Sequence, residues 1–245
     1  IQGPHPKESA ALPSLACANP HDLAKMRRVM KTWSRQSSSS YSGAERRIDA
    51  VVQSVATALS VGAVTWLVFT SWQTNTFPGL AIYGFGLVAT FASSFIYTHL
   101  ASGSSKELWR RVDHAVIFAL IAGTYTPLAA YRLPEPWSVT ILALVWSAAL
   151  VGMFLKFAYP RRFEYAGLAL CIVIGLTGIF FFRQLLQTVT PLAFALLVAG
   201  IVLYLLGTVM LQLHRLRFHN AIWHLLVLAA AGVHFLAIAK EFVGR

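Results

Sequence analysis

The stretch PLAFALLVAGIVLYLLGTVMLQL, residues 191–213, decides the fold because it runs for 23 residues without a charged side chain. A helix rises 1.5 Å per residue, so about 20 apolar residues cross the hydrocarbon core of a bilayer. Pro191 suits the first turn of such a helix, where its missing N–H costs nothing. The stretch therefore predicts a membrane-spanning helix.

Similar apolar runs lie on both sides of this one, separated by short polar breaks that carry Trp, Tyr or Pro, as membrane interfaces do. We predict seven spans, near residues 49–71, 79–99, 114–131, 138–157, 165–182, 191–213 and 219–240. A soluble helical bundle is the alternative. The chain is 57% hydrophobic and 12% charged, against about 45–50% and about 25% in soluble domains. The predicted fold class is therefore all-α, a polytopic seven-transmembrane helix bundle.

The basic residues predict the orientation of these spans. Of the 20 Lys and Arg residues, 16 fall in the N-terminal segment and the loops on its side of the membrane, and 4 on the other side. The excess marks the cytoplasmic side, so the N-terminus is predicted inside and the C-terminus outside. The net charge of +11 could suggest a nucleic-acid binder. Because the basic residues lie in a tail and short loops rather than on one face, no nucleic-acid partner is expected.

Residues 1–45 differ from the rest in being polar, basic and rich in proline and serine. They lack the apolar core and cleavage site of a signal peptide, which predicts a disordered cytoplasmic tail. Within this tail, the segment Leu23–Trp33 is equally well interpreted as a short basic helix that lies at the membrane interface. Residues 46–245 form the predicted membrane domain. Cys17 and Cys171 are too few and too differently placed for a disulfide framework.

Ionisable and polar side chains are costly inside a membrane and are functional candidates by default. On the predicted topology, three spans bring such residues to the cytoplasmic side. They are Ser93, Ser94, Thr98 and His99 at the end of span 2, Asp113 and His114 at the start of span 3, and His219, Asn220 and His224 at the start of span 7. The sequence therefore predicts one polar site at the cytoplasmic ends of spans 2, 3 and 7.

Helical spacing sorts the members of this site. Residues four apart share a face, so Ser94 pairs with Thr98 and Asn220 pairs with His224. His219 is rotated by roughly 140° from His224 and is expected to face the loop or the lipid headgroups.

Other residues within the spans are expected to serve packing. His234 lies about 15 Å deeper than His224, which favours a core histidine bonded to a neighbouring helix over a ligand. Glycines within spans are expected to let helices pack closely. They are Gly84, Gly86, Gly123, Gly152, Gly175, Gly178, Gly200 and Gly207.

Two stretches carry a resemblance to a known family. They are WRRVDHAVIFALIAGTYTP at 109–127 and NAIWH at 220–224, the latter followed by Val233-His234-Phe235. With Ser94 on span 2, the pattern resembles that of the hemolysin III family, which is related to the adiponectin and progestin receptors and the alkaline ceramidases. The likeness covers the chain from about residue 45 to its end.

The resemblance implies a site with Ser-x3-His on span 2, Asp on span 3 and His-x3-His on span 7. In the receptors and ceramidases the three histidines bind zinc and leave one position for water. Three protein ligands and an open position are typical of catalytic zinc, and the implied chemistry is hydrolysis of a lipid amide. Ser94 and Asp113 would be the catalytic residues if the protein is an enzyme, with the Asp113 carboxylate orienting or deprotonating the water.

This sequence departs from that pattern at two of the three zinc ligands. Thr98 and Asn220 stand where the family has histidines, and only His224 matches. The further candidate ligands are His99, one residue late, and then His114 and His219. The alternative to a metal site is a hydrogen-bonded clasp of Ser94, Thr98, Asp113, Asn220 and His224.

Two functions stay open. One is a hemolysin III-type membrane protein acting in sensing, membrane homeostasis or cytolysin-like activity, and the other is a zinc-dependent lipid amide hydrolase. A wide channel would need polar stripes along several helices, and a transporter would need broken paired helices and an internal repeat. The expected partners are membrane lipids, with a lipid or fatty acid as ligand, and the expected location is the bacterial inner membrane.

Overall fold

The computed structural model describes residues 43–159, 164–213 and 216–243, and all regular structure in these ranges is helical. Seven helices are long and apolar enough to cross a membrane, which confirms the predicted number. Spans 1 to 7 are Gly43–Ser71, Phe77–Leu100, Ser105–Arg132, Trp137–Ala158, Tyr165–Thr188, Pro191–Gln212 and His219–Phe242. The predicted tail helix Leu23–Trp33 and most of the predicted tail lie outside the described residues.

The seven spans form a closed ring, and span 3 makes additional contacts across it. Neighbours along the chain pack together, span 7 also packs against span 1, and span 3 also contacts spans 5 and 7. Apolar side chains on the outer surface stay exposed, as for Phe69 (81%) and Phe180 (82%). Soluble proteins rarely expose contiguous apolar surface of this kind, so the outer surface of the ring is the one suited to lipid.

Spans 1 and 3 begin earlier than predicted. Span 1 starts at Gly43 rather than near 49, and span 3 at Ser105 rather than near 114. The first turns of span 3 are polar, and there Arg110 Nη2 lies 3.0 Å from Glu107 Oε1, a spacing that stabilises helices. Asp113 therefore lies two turns inside a helix, not at its start.

Span 5 is interrupted, whereas a continuous helix was predicted. Its α-helical parts are Glu164–Leu176 and Phe182–Thr188, joined by a 3-10 turn, Thr177–Phe181. Tyr125 of span 3 meets the interruption, because its hydroxyl donates to Gly175 O at 2.8 Å and accepts from Gly178 N at 2.9 Å. A side chain of span 3 thus bonds backbone groups on both sides of the break.

Most of the glycines pack closely, as predicted. A methyl group at Gly86 would approach the backbone of Leu120 to 3.0 Å, and one at Gly200 would overlap the ring of His234. Gly175 corrects the prediction, because a methyl group there would meet no described atom within 4 Å. The prediction for His234 is confirmed, since its Nε2 lies 3.0 Å from Leu197 O on span 6.

At the face where span 7 ends, a buried carboxylate joins three spans. Glu241 is 0% exposed, and its Oε1 lies 2.8 Å from Arg132 Nε at the end of span 3. Its Oε2 accepts hydrogen bonds from the backbone N and the hydroxyl of Thr190, at 3.1 and 3.0 Å. The Thr190 hydroxyl also accepts from Ala193 N and so caps span 6. We call this group the Glu241 clasp.

Candidate functional site

The face of the bundle at which span 1 begins, here called the N-terminal face, holds a second buried polar group. Span 1 contributes Asp49 and Gln53, which are 1% and 2% exposed. They lie one helical turn apart, and Gln53 Nε2 donates to Asp49 Oδ2 at 3.1 Å. Because a carboxylate only accepts hydrogen bonds, this contact orients the amide nitrogen of Gln53 towards Asp49.

His224 of span 7 completes the centre of this group. Its Nδ1 lies 2.6 Å from Asp49 Oδ1, so Nδ1 carries the proton and donates. In the neutral ring, Nε2 then carries the lone pair and is the ring nitrogen that can accept a hydrogen bond. The Gln53 Nε2 atom lies 3.1 Å from Nδ1 and 3.5 Å from Nε2 of the same ring. Asp49 thus sets both the orientation and the tautomer of His224.

Span 2 brings Thr98 and His99 to the same place. Both lie in a π-helical turn, Ile96–Leu100, and such turns occur frequently at functional sites. Gln53 Nε2 lies 3.4 Å from Thr98 Oγ1. The His99 ring packs against Phe95 at 5.4 Å between centroids and interacts electrostatically with Asp49 and His224.

Asp113 of span 3 lies at the edge of the group. Its Oδ2 is 3.5 Å from His114 Nδ1, and the carboxylate also interacts with the hydroxyl of Ser94 and with His224. The side chain is 15% exposed. Four spans therefore contribute to one polar cluster, defined here by Asp49, Gln53, Thr98, His99, Asp113 and His224.

The other predicted residues stand apart from this centre. His114 Nδ1 lies 2.8 Å from Arg110 O of its own helix. His219 Nδ1 lies 3.2 Å from Leu216 O in the preceding turn, and Asn220 is half-buried in the first turn of span 7. Thr98 and His224 are linked through Gln53, a residue that was not predicted to take part.

The two cluster residues on span 1 were not predicted. Asp49 and Gln53 lie at the predicted start of span 1, where polar residues are ordinary. A signal was present, because the two residues are four apart and therefore share a face. The side chains that lie between them, Ala50, Val51 and Val52, are all apolar. Once the helix begins at Gly43, both polar residues lie inside it.

Two atoms of the polar cluster lack partners within the described part of the chain. They are Gln53 Oε1 and His99 Nε2, both buried and without a hydrogen-bond partner. Buried polar atoms of this kind are uncommon in native proteins, and each costs about 1–3 kcal/mol when left unsatisfied. The cluster therefore has capacity for a further polar group.

A catalytic zinc site requires three protein ligands. In residues 43–159, 164–213 and 216–243, no group of three or more His, Cys, Asp or Glu side chains is arranged to hold a metal ion. Thr98 and Asn220 supply no usual zinc ligand, and Nδ1 of His224 is engaged by Asp49. The present arrangement does not fit the implied zinc, which stays a prediction that would require His99 to move.

The fold and this cluster together define a class: a seven-span helical membrane protein with a buried polar cluster at one end of its bundle. The family model described as Haemolysin-III related matches residues 50–235. This is more than half of the chain. The protein belongs to the haemolysin III family and is an integral membrane protein.

Named relatives agree with this assignment. The chain is 29% identical over 197 residues to Hemolysin-3 of Bacillus cereus, covering 79% of this chain and 90% of the relative. It is 28% identical over 200 residues to the Hemolysin-3 homolog of Bacillus subtilis (strain 168), covering 79% and 92%. It is also 29% identical over 183 residues to the human monocyte to macrophage differentiation factor, covering 71% of each.

Proposed function

We propose that this protein is a membrane sensor that binds an amphipathic lipid-derived ligand at the polar cluster. The observation that supports this is the pair of unpartnered buried atoms, Gln53 Oε1 and His99 Nε2. Gln53 donates to Asp49, the partner of His224, and His99 interacts electrostatically with both. A bound polar group that satisfied both atoms would remove their desolvation cost, so ligand binding would stabilise the fold.

The chemistry of these atoms restricts the ligand. Gln53 Oε1 accepts only and needs an O–H or N–H donor, whereas His99 Nε2 can donate or accept according to its tautomer. His224 Nε2 offers a further acceptor. Since the cluster lies among spans of a membrane protein, the rest of the ligand is apolar. A hydroxyl or an amide attached to one acyl chain fits these requirements.

N-oleoylethanolamine is a suitable probe because it carries both an amide N–H and a hydroxyl. Methyl oleate has the same chain without either donor. In detergent-purified protein we expect N-oleoylethanolamine to bind and raise the unfolding temperature, and methyl oleate to have little effect. His99→Phe and Gln53→Met should each weaken binding of N-oleoylethanolamine by about tenfold, the effect of one lost hydrogen bond, when measured by native mass spectrometry.

His219→Phe is the matched control, because His219 lies at the N-terminal face of the bundle and its Nδ1 contacts the preceding turn rather than the cluster. It should leave binding unchanged. Equal binding of methyl oleate would contradict the proposal, as would full binding to both cluster variants.

The second candidate, a zinc-dependent lipid amide hydrolase, draws support from the two imidazole nitrogens, His99 Nε2 and His224 Nε2. The same probe separates it from the sensor, because hydrolysis would release oleate and ethanolamine. We expect the probe to be recovered intact by mass spectrometry with and without added zinc chloride. Zinc-dependent release of oleate, lost in His224→Ala and Asp113→Ala, would favour the hydrolase.

We also propose that the protein lies in a bacterial inner membrane with its N-terminal face in the cytoplasm. The excess of Lys and Arg on that side and the bacterial Hemolysin-3 relatives support this. Green fluorescent protein fused after Arg245 should stay dark, since it does not fold after export as an unfolded chain, and alkaline phosphatase fused there should be active. The reverse result would overturn the orientation.

A further inference from the structure

A groove lies on the outer surface of the bundle between spans 1 and 2. It is shallow and open to the outside, with a volume of ≈ 580 Å³. Five of its lining residues belong to span 1 and one to span 2. They are Ser54, Thr57, Ala58, Val61, Gly62 and Phe95.

Small side chains on span 1 produce the groove. Ser54, Ala58 and Gly62 are spaced four apart, so they lie along one face of the helix, and all three are exposed. A methyl group at Gly62 would meet no described atom within 4 Å. The floor is therefore set by backbone and short side chains, while Phe95 forms the opposite wall.

A basic residue lies on the same helical face beyond one end of the groove. Arg47 precedes Ser54 by seven residues, which places it about 10 Å further along the axis and within about 20° of the same direction. It is exposed at the N-terminal face. Arg46 is exposed too, but it points about 100° away from Arg47 around the helix. Arg47 alone is thus aligned with the groove.

We propose that this groove binds one anionic phospholipid, with an acyl chain along Ser54, Ala58 and Gly62 and its phosphate at Arg47. The outer surface of the spans faces lipid, so acyl chains are the molecules at hand. A guanidinium binds phosphate through paired N–H donors. An apolar groove with an exposed arginine about 10 Å beyond one end matches the order of acyl chain and headgroup in a phospholipid.

This site shares no lining residue with the polar cluster and does not rest on the sensor function. The two adjoin at span 1, where the Thr57 hydroxyl donates to Gln53 O at 2.8 Å and also lies 3.3 Å from Phe91 O. They adjoin at span 2 as well, where Phe95 of the groove packs against His99 of the cluster. The tests below use residues outside the cluster.

The headgroup preference is tested with purified full-length protein in mixed micelles of palmitoyl-oleoyl phosphatidylglycerol and palmitoyl-oleoyl phosphatidylcholine. Native mass spectrometry should show phosphatidylglycerol retained in preference. Arg47→Gln should reduce that preference by about fivefold, the effect of one arginine at an anionic surface. Arg46→Gln, with the same loss of charge one residue earlier, should reduce it less. Equal loss in both variants, or no preference in the parent protein, would overturn the proposal.

The proposed contact between the groove and the acyl chain is tested by filling the groove with a larger side chain. Gly62→Leu should lower retention of both lipids, because the new side chain enters space that the acyl chain occupies. Gly232→Leu is the matched control, since Gly232 is also exposed on a span and a methyl group there also meets nothing within 4 Å. Unchanged retention in Gly62→Leu, with both variants folded by size-exclusion chromatography, would contradict the site.

The identity of the occupant is tested by replacing Ala58 with the photo-cross-linker p-benzoyl-phenylalanine. Irradiation in the membrane should yield an adduct with the mass of a glycerophospholipid. An adduct with residues of this chain or of a second copy, or no lipid adduct, would overturn the proposal.

Discussion

The Asp49 carboxylate lies 2.6 Å from Nδ1 of His224, and this contact joins span 1, the first helix of the bundle, to span 7, the last. Spans 1 and 7 are the two that close the ring of helices. Removing one partner of a buried hydrogen bond leaves the other unsatisfied, which costs more than the bond itself contributes. The pair therefore matters for the closure of the bundle as well as for the site.

Replacing Asp49 should destabilise the fold. Asp49→Ala removes the acceptor of His224 Nδ1 and of Gln53 Nε2, and we expect a loss of about 3 kcal/mol, because each buried donor left unsatisfied costs about 1–3 kcal/mol. Chemical unfolding in detergent measures it. His219→Ala, on the same face but outside the cluster, should change stability by less than about 0.5 kcal/mol. If Asp49→Ala left the free energy of unfolding unchanged, the pair would not be what holds spans 1 and 7 together.

The sequence predicts the spans well and the site only in part, for different physical reasons. Each span is encoded locally, because crossing the membrane requires a long apolar run such as 191–213. The cluster depends on which helices become neighbours. The contact between Asp49 and His224 joins residues 175 positions apart, and no local pattern encodes that pairing. His224 was found because it lies within a motif, whereas Asp49 has none.

The Glu241 clasp illustrates the same limit at the opposite face. Arg132 and Glu241 look like ordinary residues at span ends, where charges reach water. In the fold, Glu241 is 0% exposed and bonded to spans 3 and 6. Only packing of the three span ends creates that burial.

Breaking the Glu241 clasp should cost about 3 kcal/mol. Arg132→Ala leaves the buried carboxylate without its cation, the situation in which broken pairs are costly. It also removes the hydrogen bond from Arg132 Nη2 to Glu241 O at 2.6 Å. Thermal unfolding in detergent should show a clear drop in midpoint. Glu135→Gln, a change at an exposed carboxylate, is the control, and an equal effect from both would disprove a specific clasp.

Tyr125→Phe should loosen the interruption in span 5. The variant keeps the ring and removes the hydroxyl that bonds Gly175 O and Gly178 N. Unsatisfied buried backbone groups cost about 1–3 kcal/mol, so stability should fall by that order and hydrogen exchange should rise around Thr177–Phe181. Tyr165→Phe, at a side chain that is 77% exposed, should do neither. Unchanged exchange would mean that the break is held by other contacts.

Gly200→Ala should separate spans 6 and 7. A methyl group at Gly200 would overlap the His234 ring, which cannot rotate away without losing the bond from Nε2 to Leu197 O. Overpacking of this kind costs about 1–3 kcal/mol. Gly232→Ala is the matched control, because a methyl group there meets nothing within 4 Å, and a helical alanine should be favourable by up to about 1 kcal/mol. The two variants should therefore shift the unfolding midpoint in opposite directions. In a His234→Ala background, Gly200→Ala should cost less than in the parent protein, because the smaller side chain makes room for the methyl group, and an unchanged cost would place the strain elsewhere.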